Sequence, residues 1–128
     1  MSELNILIID EDIVSVKLLK NMLQKQSQCR FHLTETTNAY EAAAILKSNQ
    51  EFNAIIIDLN LSGIDGIEML RILKVESKLT NIPVIITTSD ETKKAEALKF
   101  GASGFLVKPI HLEQFNAQIE AIIALCSN

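Results

Sequence analysis

Residues 6–12 read Ile6-Leu7-Ile8-Ile9-Asp10-Glu11-Asp12, four aliphatic side chains without polar alternation followed at once by three acids. A strand exposed on one face alternates apolar with polar residues, whereas an unbroken aliphatic run suits a strand covered on both faces. Ile55-Ile56-Ile57 and Val84-Ile85-Ile86 repeat the pattern, so these three segments are expected to be central strands of a parallel sheet. With them, Leu4 to Ile9, Phe31 to Thr36, Ala54 to Ile57, Val84 to Thr87 and Phe105 to Val107 read as five strands.

The intervening segments carry helical signals. Asn38 with Glu41, and Asp65 with Glu68, fit the capping box, in which the first side chain accepts from an orphan amide and the acid reaches back. Gly101 follows the Glu91 to Phe100 pattern where a left-handed residue closes a helix. Leu112, Phe115, Ile119, Ile122 and Ile123 recur at helical spacing and are expected to form one apolar core face. Five strands alternating with five helices require crossovers of one hand and helices on both sheet faces, which makes the expected class a doubly wound α/β fold.

The chain has 128 residues, 48% of them hydrophobic, and is expected to be one domain over residues 1–128. Folding at this size buries roughly two-thirds of the unfolded surface, so no metal or disulfide staple is needed. Cys29 and Cys126 lack the spacing of metal ligands and are read as free thiols in a reducing compartment. Twelve basic residues against 16 acidic ones give a net charge of −4, and the basic ones are scattered, which argues against nucleic acid or a membrane surface as partner. The amino-terminal residues lack a signal-peptide pattern, and no apolar run approaches the roughly 18 residues of a membrane span. The expected location is the cytoplasm.

Binding sites in such folds lie at the carboxyl ends of the strands, near the point where strand order reverses. The polar residues collect there: Asp10-Glu11-Asp12 after the first strand, Asp58 after the third, Thr87-Thr88 at the fourth and Lys108-Pro109 at the fifth. Two carboxylates about 5 Å apart repel by roughly 3 kcal/mol at an effective dielectric near 20, so Asp10, Glu11 and Asp58 together call for a cation. A hard divalent ion such as Mg²⁺ suits carboxylates, a backbone carbonyl and water. Lys108 adds a fixed positive charge able to pair with a carboxylate or a phosphoryl group. Each residue alone has a plainer reading, since Asp12 and Asp65 fit helix N-caps, Glu11 a first-turn acid, Thr88 a turn residue and Lys108 a solvated charge. Their joint occurrence at four strand ends favours a site.

These residues resemble those of a known family, the receiver domains of two-component response regulators, over essentially the whole chain. Ile6 to Asp12 is similar to the acidic opening of such domains, and Asp58-Leu59-Asn60-Leu61-Ser62-Gly63-Ile64-Asp65-Gly66 to their phosphoacceptor loop. Pro83-Val84-Ile85-Ile86-Thr87-Thr88-Ser89 resembles their switch strand, and Gly101 to Pro109 completes the set. The resemblance implies a flavodoxin-like sheet of order 2-1-3-4-5. It also implies that Asp58 is the phosphoacceptor, that Asp10 and Glu11 position Mg²⁺ with Asp58, and that Asn60 is a metal ligand through its backbone carbonyl. Thr88 would follow the phosphoryl group, Lys108 would hold its oxygens, Phe105 would report the switched state, and the Lys108-Pro109 bond would be cis.

Three positions depart from the family pattern: Glu11 stands where Asp is common, Leu61-Ser62 replaces the usual Met-Pro, and Ser89 replaces Ala. The loss of a proline removes a stiffening residue from the acceptor loop. By resemblance the donor is a phosphohistidine on a sensor histidine kinase or a histidine phosphotransfer domain. The signal would leave through the fourth helix, fifth strand and fifth helix to an effector or output domain. That face carries Lys93, Lys94, Lys99, Glu113, Gln114 and Gln118. The chain would catalyse only its own phosphotransfer and dephosphorylation, with Asn60 and Asp90 tuning the latter.

Two other classes fit parts of the pattern. Asp58-Leu59-Asn60-Leu61-Ser62 resembles the nucleophile loop of haloacid-dehalogenase-like phosphatases, but Asn60 stands where their general acid is required. A receiver-shaped interaction module that is never phosphorylated would need none of the Asp10, Glu11, Asp58, Thr88 and Lys108 set. Nucleotide-binding loops of the GxxxxGK[ST] and GxGxxG types are absent.

Overall fold

The computed structural model describes residues 2–48, 50–76 and 79–126. Five parallel strands, β1 (Ser2–Ile9), β2 (Cys29–Thr36), β3 (Ala54–Asp58), β4 (Val84–Thr88) and β5 (Gly104–Val107), pair in the order β2-β1-β3-β4-β5. The helices are α1 (Ile13–Gln24), α2 (Ala39–Lys47), α3 (Gly66–Val75), α4 (Lys94–Lys99) and α5 (Leu112–Cys126). This is the doubly wound, flavodoxin-like α/β fold expected from the sequence, with strand order reversing between β1 and β3.

The aliphatic runs behave as parallel strands with two covered faces must. Alternate residues of β1 and β3 divide between two cores: Ile6, Ile8, Ala54 and Ile56 pack with α1 and α5, while Leu7, Ile9, Ile55 and Ile57 pack with α2 and α3. Every residue of β3 and β4 is buried, including Asp58, Thr87 and Thr88. Both strands therefore run one residue further than the apolar pattern marks and carry polar side chains in their last positions.

Helix starts follow the sequence in part. The side chains of Asp12, Asn38 and Asp65 cap α1, α2 and α3 by accepting from Val14, Glu41 and Ile67 amides. The reciprocal half of the expected box is replaced at Asp65, where Glu68 pairs with Arg71 at 3.2 Å instead of reaching back. Gly101 has φ +104 after α4, the left-handed closure the sequence marks. The Glu91 to Phe100 pattern divides into a 3₁₀ turn at Glu91–Lys93 and the short α4, because Asp90 draws in both the amide and hydroxyl of Thr92. In α5, Phe115, Ile119, Ile122 and Ile123 are buried, but Leu112 in the first turn is 42% exposed and leaves the core face.

Cys29 is buried and Cys126 half-buried, and both are free thiols. No helix of the described residues is long and apolar enough to cross a membrane.

Candidate functional site

Side chains alternate along a strand, so Asp10, Asp58 and Lys108 continue the same face as Ile8, Ile56 and Leu106. Parallel pairing then brings the ends of β1 and β3 together, with β5 two strands away. Lys108 is long enough to cross that gap. Its Nζ lies 3.1 Å from Asp10 Oδ2 and 3.0 Å from Asp58 Oδ2. The three side chains are 1%, 7% and 17% exposed for Asp10, Asp58 and Lys108, so the two acids share one largely buried cation.

The remaining oxygens are also held. Asp10 Oδ1 accepts from the Asp12 amide at 2.8 Å, and Asp58 Oδ1 accepts from the Asn60 amide at 3.1 Å. Burial pushes the Asp10 carboxyl above its ordinary range; the Asp12 amide and Lys108 pull it down without cancelling that effect, and the Asp58 charge adds to it. For Lys108, burial acts to lower the pKa, but the hydrogen bonds and charges of Asp58 and Asp10 outweigh it and hold the ammonium above an ordinary lysine.

Thr88 has the opposite parity from Asp58 and Lys108 and lines an open depression of about 530 Å³ with Asn60, Ser62, Asp90 and Lys93. Its Oγ1 accepts from the Asp90 amide at 3.1 Å, and its carbonyl accepts from the Lys108 amide at 2.7 Å, which ties the end of β4 to β5. Phe105 is half-buried on β5 and packs against the α2–α3 core. The Lys108-Pro109 peptide is cis.

One expectation needs correction. The sequence places Glu11 in a single nest with Asp10 and Asp58, but its carboxylate turns to the loop after β3 instead. There the Ser62 amide donates to Glu11 Oε1 and the Ser62 hydroxyl donates to Glu11 Oε2 at 2.9 Å. No group of three acidic, histidine or cysteine side chains is gathered around one point among the described residues. Two buried carboxylates and the Asn60 backbone still match the donor set of Mg²⁺, which typically takes one or two acids and keeps several waters.

Sequence reasoning passed over Ser62 as a partner of Glu11, a contact between residues 51 positions apart that no local pattern marks. It named Thr87 at the end of the fourth strand without giving it a role; Thr87 pairs with Asp58 in the sheet register, and its buried hydroxyl has no hydrogen-bond partner among the described residues.

Comparison with known proteins gives a consistent picture. The model of the response regulator receiver domain family matches residues 6–120. The two-component response regulator ORR22 of Oryza sativa is 31% identical over 114 residues, which is 87% of this chain and 16% of that protein. The chain thus spans less than a fifth of that relative's length. A crystal structure described as a putative response regulator from Chloroflexus aurantiacus superposes with a TM-score of 0.85 at 22% identity, covering 96% of this chain and 99% of the other. The receiver domain of sensor histidine kinase PA1611 from Pseudomonas aeruginosa, with a magnesium ion in its active-site cleft, superposes with a TM-score of 0.81 at 19% identity, covering 96% and 99%.

Proposed function

Because this chain belongs to the response regulator receiver domain family of two-component signalling, we propose that it accepts a phosphoryl group on Asp58 from a phosphohistidine and thereby switches a surface read by a partner. The observation that carries this reading is the shared ammonium: Lys108 Nζ stands 3.0 Å from Asp58 and 3.1 Å from Asp10 at the end of the sheet.

The electrostatics favour this role. A carboxylate attacking a phosphoryl group meets like charge, so the reaction needs cations where the equatorial oxygens gather. Lys108 supplies one, already placed and kept protonated by its two acids. Mg²⁺, seen in the cleft of the Pseudomonas receiver domain, would be held here by Asp10, Asp58 and the Asn60 carbonyl and would supply further neutralisation of phosphoryl charge. Asn60 donates its amide to Asp58 Oδ1 and so orients the carboxylate. In the transfer the N–P bond of the donor breaks, and a P–O bond forms to Asp58.

Thr88 then offers its hydroxyl to the phosphoryl oxygens. Its present partner is the Asp90 amide, so moving the hydroxyl loosens the start of the 3₁₀ turn and α4. Phe105, half-buried beside that segment, can follow. The expected readout is the α4–β5–α5 face, where Lys93, Lys94, Lys99, Glu113 and Gln114 are exposed. In the cytoplasm, a sensor histidine kinase or histidine phosphotransfer domain would be the donor to this chain, and an effector or output domain the receiver of the signal. Asn60 and Asp90, on the rim of the same depression as Thr88, would tune the access of water and hence the lifetime of the acyl phosphate.

Intact-mass spectrometry after incubation with a small phosphodonor tests the reading. One phosphoryl adduct is expected with Mg²⁺, and none with chelator or in Asp58→Asn; an adduct that persists in Asp58→Asn overturns the assignment.

A further inference from the structure

Both oxygens of the Glu11 carboxylate are held by one residue 51 positions away, with the Ser62 amide on Oε1 and the Ser62 hydroxyl on Oε2. Ser62 and Gly63 form a turn in which Gly63 has φ +83. That angle is the signature of the third residue of a type II turn, whose second residue adopts φ near −60° and readily accepts proline. Ser62, which directly precedes Gly63 and has no positive φ, fits this second position. Proline there would keep the turn and remove both donors, so the choice of serine adds a contact without being required by the backbone.

The contact has a cost for any cation at the Asp10–Asp58 pair. Glu11 adjoins Asp10 in sequence, and turning its carboxylate towards that cation would take it off Ser62. We propose that Ser62 is a latch: by holding Glu11 against the acceptor loop it weakens Mg²⁺ binding, and Mg²⁺ in turn releases the loop. Ser62 is thus a positioning residue acting through Glu11, and the proposal rests on the phosphoacceptor reading above.

The test is calorimetric titration of the whole chain with MgCl₂ in wild type, Ser62→Ala and Ser62→Pro, which leave two, one and no donors to Glu11. Affinity should rise along the series, by about tenfold or more for Ser62→Pro, which removes both hydrogen bonds to the Glu11 carboxylate, since even one charge-assisted hydrogen bond at an open site corresponds to roughly that ratio. An independent readout is the Ser62 amide proton in ¹⁵N-resolved NMR spectra. It should move upfield in Glu11→Ala, and in wild type it should move the same way when MgCl₂ is added. Equal or weaker Mg²⁺ binding in Ser62→Ala, together with a Ser62 amide indifferent to both Glu11→Ala and Mg²⁺, overturns the latch while leaving the acceptor assignment standing. No Mg²⁺ uptake by any of the three proteins, with no phosphoryl adduct formed, removes the acceptor reading and the latch with it.

Discussion

A Cβ placed on Gly66 would stand 2.5 Å from the Cα of Leu59 and 2.8 Å from its Cδ2, with the Leu59 carbonyl 3.1 Å away. Leu59 follows Asp58 directly, and the Gly66 amide donates to the Leu59 carbonyl at 3.3 Å. The first turn of α3 is therefore seated on the backbone beside the acceptor, and only glycine permits the approach. Gly66→Ala should destabilise the protein by about 2 kcal/mol in urea unfolding, as overpacking against backbone does. It should also slow adduct formation. Gly63→Ala meets no atom within 4 Å, and its positive φ should cost about 1 kcal/mol with the adduct preserved.

Lys108→Ala leaves Asp10 and Asp58 buried and facing each other without their cation. Removing one partner of a buried ionic group typically costs about 3 kcal/mol or more, and a loss of that size is expected in urea titrations at neutral pH. Part of the loss should be recovered at acid pH, where a carboxyl takes up a proton.

Asp10→Asn should act in the opposite direction. Burial raises the folded-state pKa of Asp10 above its ordinary 3.8. Its contribution to stability is therefore fully present below that ordinary value and is lost as pH rises through the raised one. At neutral pH the ionised side chain is a net liability, while Lys108 still has Asp58 and an asparagine oxygen can still accept the Asp12 amide. The variant should be more stable than wild type near pH 7, and the difference should shrink as pH falls towards 4. A difference independent of pH in thermal melts would contradict this.

The Thr87 hydroxyl is buried without a partner among the described residues. Thr87→Val keeps the shape and removes the unsatisfied group, so a gain of up to about 1 kcal/mol is expected. Unchanged or lower stability in urea would mean that the hydroxyl has a partner, most simply an ordered water.

Much of this architecture is legible in the sequence because the cause is local. Ile6-Leu7-Ile8-Ile9 and Ile55-Ile56-Ile57 can hardly be anything but strands buried on two faces, and a parallel sheet of such strands puts Asp10 and Asp58 side by side. Asn38, Asp65 and Gly101 mark helix ends through bonds within a few residues. The features that escape are those decided across the chain. Whether Glu11 faces Asp10 or Ser62 depends on where the loop after β3 lies in space. The rotation of α5 that exposes Leu112 depends on how the helix meets the sheet, which helical spacing leaves open. The capping partner expected of Glu68 was lost to Arg71, a competition between two good local choices.

The most direct measurement is chemical mapping of the modified residue. Protein treated with a small phosphodonor and Mg²⁺ is reduced with borohydride, which converts an aspartyl phosphate to homoserine, and its peptides are sequenced by mass spectrometry. The account predicts homoserine at position 58 alone; homoserine at position 10, or phosphate retained on a serine, threonine or histidine with Asp58 intact, would contradict it.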